Sequence, residues 1–155
     1  MAGLAAVALV ASGTGIANAA ESGERAVYAQ LVNGKNKCLS IAAGGSTANG
    51  VAAIQYTCNG GDEQKWAFTP EGLLNYKSGK CLSVSAGGST ANGAAAIQYT
   101  CNGAPEQGWT LYSNGELRNA KSNKCLSIEG GGSDANGAAA IIWDCNRGPE
   151  QYWVW

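Results

Sequence analysis

The chain has 155 residues, 45% of them hydrophobic and only 14% charged, with a formal net charge of −1 and no histidine. That length holds one domain with at most a leader, and its singly scattered basic residues form no clustered surface for nucleic-acid phosphates. Without histidine, Ser-His-Asp and Cys-His catalysis, histidine-ligated zinc and histidine pH switches are excluded.

Residues 1–19 read as a signal peptide. Leu4 to Val10 is a short apolar run, Ser12, Gly13 and Gly15 follow, and Ala17-Asn18-Ala19 supplies a small-residue cleavage site. The run is too short to span a bilayer, and no later segment is apolar enough to insert in one. The expectation is a secreted domain over residues 20–155, its six cysteines oxidised after export.

The remainder is a threefold repeat. Lys37 to Trp66 matches Lys80 to Trp109 at 24 of 30 positions without a gap, and Lys124 to Trp153 matches the second copy at 20 of 30. The starts lie 43 and 44 residues apart, which divides the chain into repeats at about 29–70, 71–113 and 114–155. In each, a Cys-Leu-Ser segment and an Ala-Ile-(Gln/Ile)-aromatic segment alternate as strands do, and a Gly/Ser/Asn loop ending in Asn-Gly separates them. The linkers carry turn formers, Pro70, Gly72, Asn114 and Gly115, beside Leu73-Leu74 and Leu111-Tyr112. Four short strands per repeat, three repeats and no helix-period stretch predict an all-β fold of threefold pseudosymmetry, a β-trefoil. Cys38 and Cys58, Cys81 and Cys101, and Cys125 and Cys145 are each 20 residues apart, and only pairing within repeats keeps three bonds alike. Histidine and a Cys-x-x-Cys pair are both lacking, which speaks against a metal site.

Each repeat closes on Gln-x-Trp, at Gln64 to Trp66, Gln107 to Trp109 and Gln151 to Trp153. With the Lys-Cys-Leu opening, the Gly-Gly-Ser loop and the aromatic-x-Cys-Asn segment, the chain strongly resembles the ricin B-type lectin family, including modules attached to bacterial glycosidases. The resemblance implies a sugar-binding β-trefoil with up to three shallow sites, no catalysis of its own and no cofactor. The partner it implies is carbohydrate, a galactoside or a xylan-like polysaccharide, bound by a monomer. It places the sugar platforms at Tyr56, Tyr99 and Trp143. Their polar partners would be Ser40, Ser83 and Ser127, then Glu63, Glu106 and Glu150, and finally Asn59, Asn102 and Asn146. Gln64, Gln107 and Gln151 would orient these groups. The family usually has Asp where Ser40, Ser83 and Ser127 stand, and Asn where the three glutamates stand, so the grip from the serine side is expected to be weaker, with the glutamates offering an anionic acceptor from the other side or, in the scaffold reading, no sugar bound at all. Trp66, Trp109 and Trp153 are read as core, since the chain holds one Phe and one Met to fill its centre.

Two other readings compete. A glycosidase would need two unlike carboxyls in one cleft; residues repeated on three arms, as at Asp62-Glu63, do not converge on one, and Asp134 and Asp144, unique to the third repeat, read as a loop and a strand end. A scaffold without sugar binding, such as a protein-binding or protease-inhibitor module, would show one loop unlike its two counterparts. The glycine-rich loops lack both the lysine and the following helix of a phosphate cradle, so they read as turns. Among the three sites, Trp143 offers the widest platform, while strand alternation sends Asp144 to the opposite side from it.

Overall fold

Each repeat is organised around the hairpin that its alternation predicts. The computed structural model describes residues 26–155, and the expected leader at residues 1–19 lies outside them. The trefoil body is Tyr28–Ala67 with Glu71–Trp155. The first repeat carries β1 (Ala29–Gln30), β2 (Val32–Asn33), β3 (Lys37–Ile41), β4 (Ala53–Thr57) and β5 (Lys65–Thr69). The second has β6 (Gly72–Asn75), β7 (Cys81–Val84), β8 (Ala96–Tyr99) and β9 (Trp109–Leu111), and the third β10 (Leu117–Asn119), β11 (Cys125–Ile128), β12 (Ala140–Trp143) and β13 (Trp153–Val154). The extra strand arises because the first strand of repeat one is interrupted at Leu31.

All three hairpins keep one register: Cys38 faces Tyr56, Cys81 faces Tyr99 and Cys125 faces Trp143. Alternation then sorts the two faces. Leu39, Ile41, Ala53 and Gln55 turn to the core and are buried, whereas Ser40, Ile54 and Tyr56 share the other face. The last strand, β13, pairs with β2, Trp153 facing Asn33, so the chain's end closes on its beginning and fewer strand edges stay open.

The hairpins join around the threefold axis through backbone bonds that repeat with the symmetry. Gln55 N donates to Ala138 O, Gln98 N to Val51 O and Ile142 N to Ala94 O, at 2.9, 3.0 and 3.0 Å. The tryptophans of Gln-x-Trp fill the core as expected. Trp66 and Trp153 are almost wholly buried, Trp109 nearly so, and each indole N–H donates at 3.0 Å to a leucine carbonyl, Leu39, Leu82 or Leu126. A ring that size contributes several kcal/mol of burial, and its one polar group is satisfied inside the protein. Disulfides join Cys38 to Cys58, Cys81 to Cys101 and Cys125 to Cys145, the within-repeat pairing expected. Each restrains a 20-residue separation, worth about 3 kcal/mol on a chain-entropy account. No helix among the described residues is long and apolar enough to cross a membrane.

Candidate functional site

The glycine-rich loops are more specialised than simple turns. After β3 the chain enters a left-handed turn, with Ala43 at φ 57°, Gly44 at 65° and Gly45 at 78°, and Ser46 N closes it onto Ala42 O. Ala86 holds the same conformation in repeat two, and in repeat three the position is Gly130. An L-residue there costs about 1 kcal/mol relative to glycine's freedom, so two of the three repeats keep a strained alanine. This turn forms one wall of a cavity. Its floor is the outer face of the hairpin and its opposite wall is a 3₁₀ turn, Asp62–Gln64 in repeat one.

The 3₁₀ turn separates the glutamate from the glutamine that follows it. Gln64 is wholly buried, its Nε2 donating to Thr57 O at 3.0 Å and its Oε1 accepting from Asn59 N at 2.9 Å. Gln107 and Gln151 repeat both bonds. The glutamine therefore ties the end of β4 to the loop bearing the asparagine. Asn59 Oδ1 accepts from Gly61 N at 2.8 Å, which fixes the amide so that its NH₂ remains without a protein partner among the described residues.

The sequence-expected residues come together. In repeat one, Ser40, Tyr56, Asn59 and Glu63 line a single cavity of about 280 Å³ with Ile41, Ile54 and the Ala42–Gly44 wall. In repeat three, Ser127, Trp143, Asn146 and Glu150 line another of about 240 Å³, with Ile128, Ile141 and the Glu129–Gly131 wall. Both volumes lie just below the usual range of pockets for drug-sized ligands, which suits one ring of a larger molecule. Tyr56, Tyr99 and Trp143 are 42%, 43% and 42% exposed, and Tyr56 and Trp143 line the two cavities. Ser40, Ser83 and Ser127 are each 4% exposed and their hydroxyls have no protein partner among the described residues. Gln64 and Gln151 stand behind these walls rather than on them.

Repeat two holds Ser83, Tyr99, Asn102 and Glu106 at equivalent places but differs at one backbone neighbour. A Cβ on Gly61 would stand 2.7 Å from Glu63 Oε2, so the Glu63 carboxylate lies over that glycine, and Glu150 lies likewise over Gly148. Repeat two has Ala104 there, and the Glu106 carboxylate stands instead against Gly88, 2.8 Å from where a Cβ would be.

Two features of the site escaped the sequence. The left-handed wall is one. The other is a lysine delivered by the following repeat: Lys77 Nζ donates to Gly44 O at 3.1 Å, Lys121 to Gly87 O at 3.3 Å, and Lys35 to Gly132 O while pairing with Asp134 at 3.0 Å. The signal was present as Asn-(Tyr/Ala/Gly)-Lys ahead of each hairpin, but nothing local says that it reaches a turn 33, 34 or 97 residues away.

The carboxylates considered for catalysis are dispersed. Asp62 pairs with Lys65 at 3.1 Å, Asp134 with Lys35, and Asp144 accepts from Asn92 Nδ2 at 3.0 Å across the strand from Trp143, as alternation requires. Glu116 is buried and receives two bonds from Arg118, at 3.0 and 2.8 Å, which hold its carboxyl below the ordinary carboxylate range despite desolvation. It also approaches the sulfurs of Cys125 and Cys145, but these form a disulfide and offer no thiolate to a metal.

The backbone resembles several solved structures. It superposes on the designed threefold-symmetric protein ThreeFoil with a TM-score of 0.75 at 34% identity, covering 81% of this chain and 95% of that one. It matches the exo-beta-1,3-galactanase 1,3Gal43A from Clostridium thermocellum at 29% identity and TM-score 0.72, over 83% of this chain but 29% of the enzyme. The hemolytic lectin CEL-III gives 29% identity and TM-score 0.69, again over 83% of this chain and 29% of that one. No curated protein sequence matches. The model of the ricin-type beta-trefoil lectin domain matches residues 27–153, and the chain belongs to that family.

Proposed function

We propose that the protein is a secreted carbohydrate-binding domain with up to three shallow sites and no catalysis of its own, recognising a galactoside or a xylan-like polysaccharide. The observation that carries this reading is one motif built more than once. An exposed aromatic ring stands over a cavity whose floor and walls present an unpartnered hydroxyl, amide and carboxylate. A sugar has an apolar C–H face and a hydroxyl rim, and this arrangement offers a surface for each. A covered area of one ring supports only weak affinity, so a polymer that reaches two or three sites on one rigid body gains by avidity. Export is supported by the leader-like residues 1–19 and by three disulfides, and the domain acts as a monomer.

Immobilised glycans and insoluble polysaccharides test this reading, with Tyr56→Ala, Tyr99→Ala and Trp143→Ala beside the parent. Polysaccharide is expected to be retained more strongly than monosaccharide, and Trp143→Ala to lose the most. Binding of neutral sugars should stay flat between about pH 6 and 8, since no histidine titrates there. Parent-level retention by all three variants, or equal affinity for monosaccharide and polymer, refutes the proposal.

A further inference from the structure

The third pocket differs from the first in the charge around the same kind of rim. Where the first has Ala42, the third has Glu129, so two carboxylates, Glu129 and Glu150, line the cavity with the Trp143 ring. Glu129 spends one oxygen on Ala139 N at 3.1 Å. Glu150 has no protein partner among the described residues, and its carboxylate stands against both Gly132 and Gly148. Of the neighbouring cations, Lys35 already pairs with Asp134 and donates to the Gly132 carbonyl, and Arg147 adds to the positive field at Glu116. On the floor, Ser127 is 4% exposed, lines the cavity and has no hydroxyl partner among the described residues, so the site presents a hydrogen-bonding group beside two carboxylates.

A neutral sugar can bond to these acceptors but leaves their charge uncompensated. A sugar bearing an ammonium group compensates it, forms charge-assisted bonds of about twice the ordinary strength, and brings a cation to tryptophan, the aromatic that attracts cations best. We infer that the third pocket prefers a sugar residue carrying a free amine, as in a deacetylated glucosamine oligomer, over its N-acetylated or hydroxyl counterpart. The inference rests on the carbohydrate-binding reading above and narrows it for one site. Repeats one and two have Ala42 and Ser85 in place of Glu129 and one cavity-side glutamate each, so they do not share the preference.

The test is an NMR titration of the parent, followed at the indole resonances, with glucosamine trimer, N-acetylglucosamine trimer and methyl galactoside in turn. The glucosamine trimer is expected to bind about tenfold more tightly than its acetylated form, and the gap should narrow as salt is raised. Glu129→Ala with Glu150→Gln should erase the gap without changing the thermal midpoint, and Trp143→Ala should weaken the glucosamine trimer as strongly. Equal affinity for the two trimers overturns the inference. So does a preference that survives in either variant, which would mean diffuse attraction of a polycation to an acidic protein. Methyl galactoside binding without glucosamine binding overturns it and leaves the carbohydrate-binding reading intact; no response to any of the three sugars overturns it too, and sinks the carbohydrate-binding reading as well if the polysaccharide panel is not retained.

Discussion

The first and third repeats share a scaffold to within a tenth or two of an ångström in their bonds, and differ in what faces the cavity and the threefold axis. Indole to leucine carbonyl, glutamine to strand end and asparagine to loop recur at 3.0, 3.0 and 2.7–2.8 Å in both. Against that constancy, Ala42 becomes Glu129, Ala43 becomes Gly130, Tyr56 becomes Trp143 and Gln55 becomes Ile142. The lesson is that the fold constrains these three bonds and leaves the cavity face and the axis open to variation, since each varied side chain lies outside those shared contacts.

Two tryptophans ten residues apart sharpen this division most. Trp153 belongs to the shared layer, buried and bonded to Leu126 O, and Trp143 to the varied one. Trp153→Ala is expected to cost about 3–5 kcal/mol, enough to unfold a domain of this size near ambient temperature unless the disulfides hold it. Trp143→Ala should leave the urea midpoint nearly unchanged while lowering polysaccharide retention. Matching stability losses in the two variants would dissolve the distinction between scaffold and rim.

The third repeat also carries a charge pair without a counterpart in the second, where Gly72 occupies the place of Glu116. Arg118→Met strands a buried carboxylate and should cost about 1–3 kcal/mol at pH 7. Because Arg118 lowers the Glu116 pKa, the pair's contribution is present above the ordinary carboxylate range and is lost as pH falls through the depressed folded value. The stability gap between parent and Arg118→Met should therefore shrink on acidification. A gap constant from pH 7 to pH 3 contradicts this origin.

At the threefold axis the repeats differ again. Gln55 Oε1 accepts from Asn33 Nδ2 at 2.9 Å, while Gln98 Oε1 is buried without a partner among the described residues, and Ile142 has no such group to satisfy. Each glutamine also donates to two loop carbonyls, Ser133 and Ala135 or Ser46 and Ala48. Replacement by the isoleucine that repeat three already uses should cost about 1–2 kcal/mol at Gln55, where it orphans Asn33, and less at Gln98, where it removes an unsatisfied acceptor. Chemical denaturation of Gln55→Ile and Gln98→Ile decides the order, and a greater loss at Gln98 reverses the argument.

Much of this was legible beforehand, for a physical reason: repetition turns long-range structure into local pattern. Equal cysteine spacing identified the disulfides, and one aromatic before the second cysteine with another after the glutamine separated rim from core. The Ser, Asn and Glu of each repeat meet because hairpin register and the glutamine bridge are set within one repeat. What crosses repeats was not legible. Lys77 at the Gly44 carbonyl, Asn136 at Thr57 N and Gln55 at Ser133 O join residues dozens of positions apart, and no short-range periodicity encodes them. The left-handed wall was hidden because Ala43 and Ala86 occupy a conformation that sequence assigns to glycine or asparagine.

Repeat two supplies the finest test, since its cavity residues match repeat one at Ser, Tyr, Asn and Glu and the decisive difference is a methyl group. Gly61 has φ −64° and ψ 153°, and Ala104 has −69° and 152°, so either backbone accepts either residue without strain. The methyl acts only on the glutamate. On Gly61 it would stand 2.7 and 2.8 Å from the two oxygens of Glu63, closer than such atoms pack, and the flexible end of the side chain must swing away as Glu106 has done. Gly61→Ala should thus convert the first site to the second's arrangement, and Ala104→Gly should do the reverse, each with less than about 0.5 kcal/mol effect on stability. If the glutamate is the charged acceptor that replaces the family's aspartate, Gly61→Ala weakens ligand-induced shifts at Tyr56 several-fold and Ala104→Gly strengthens those at Tyr99. Unchanged shifts at both tyrosines, with both folds intact, would show that the acceptor does not reach the ligand and that serine and asparagine alone hold it.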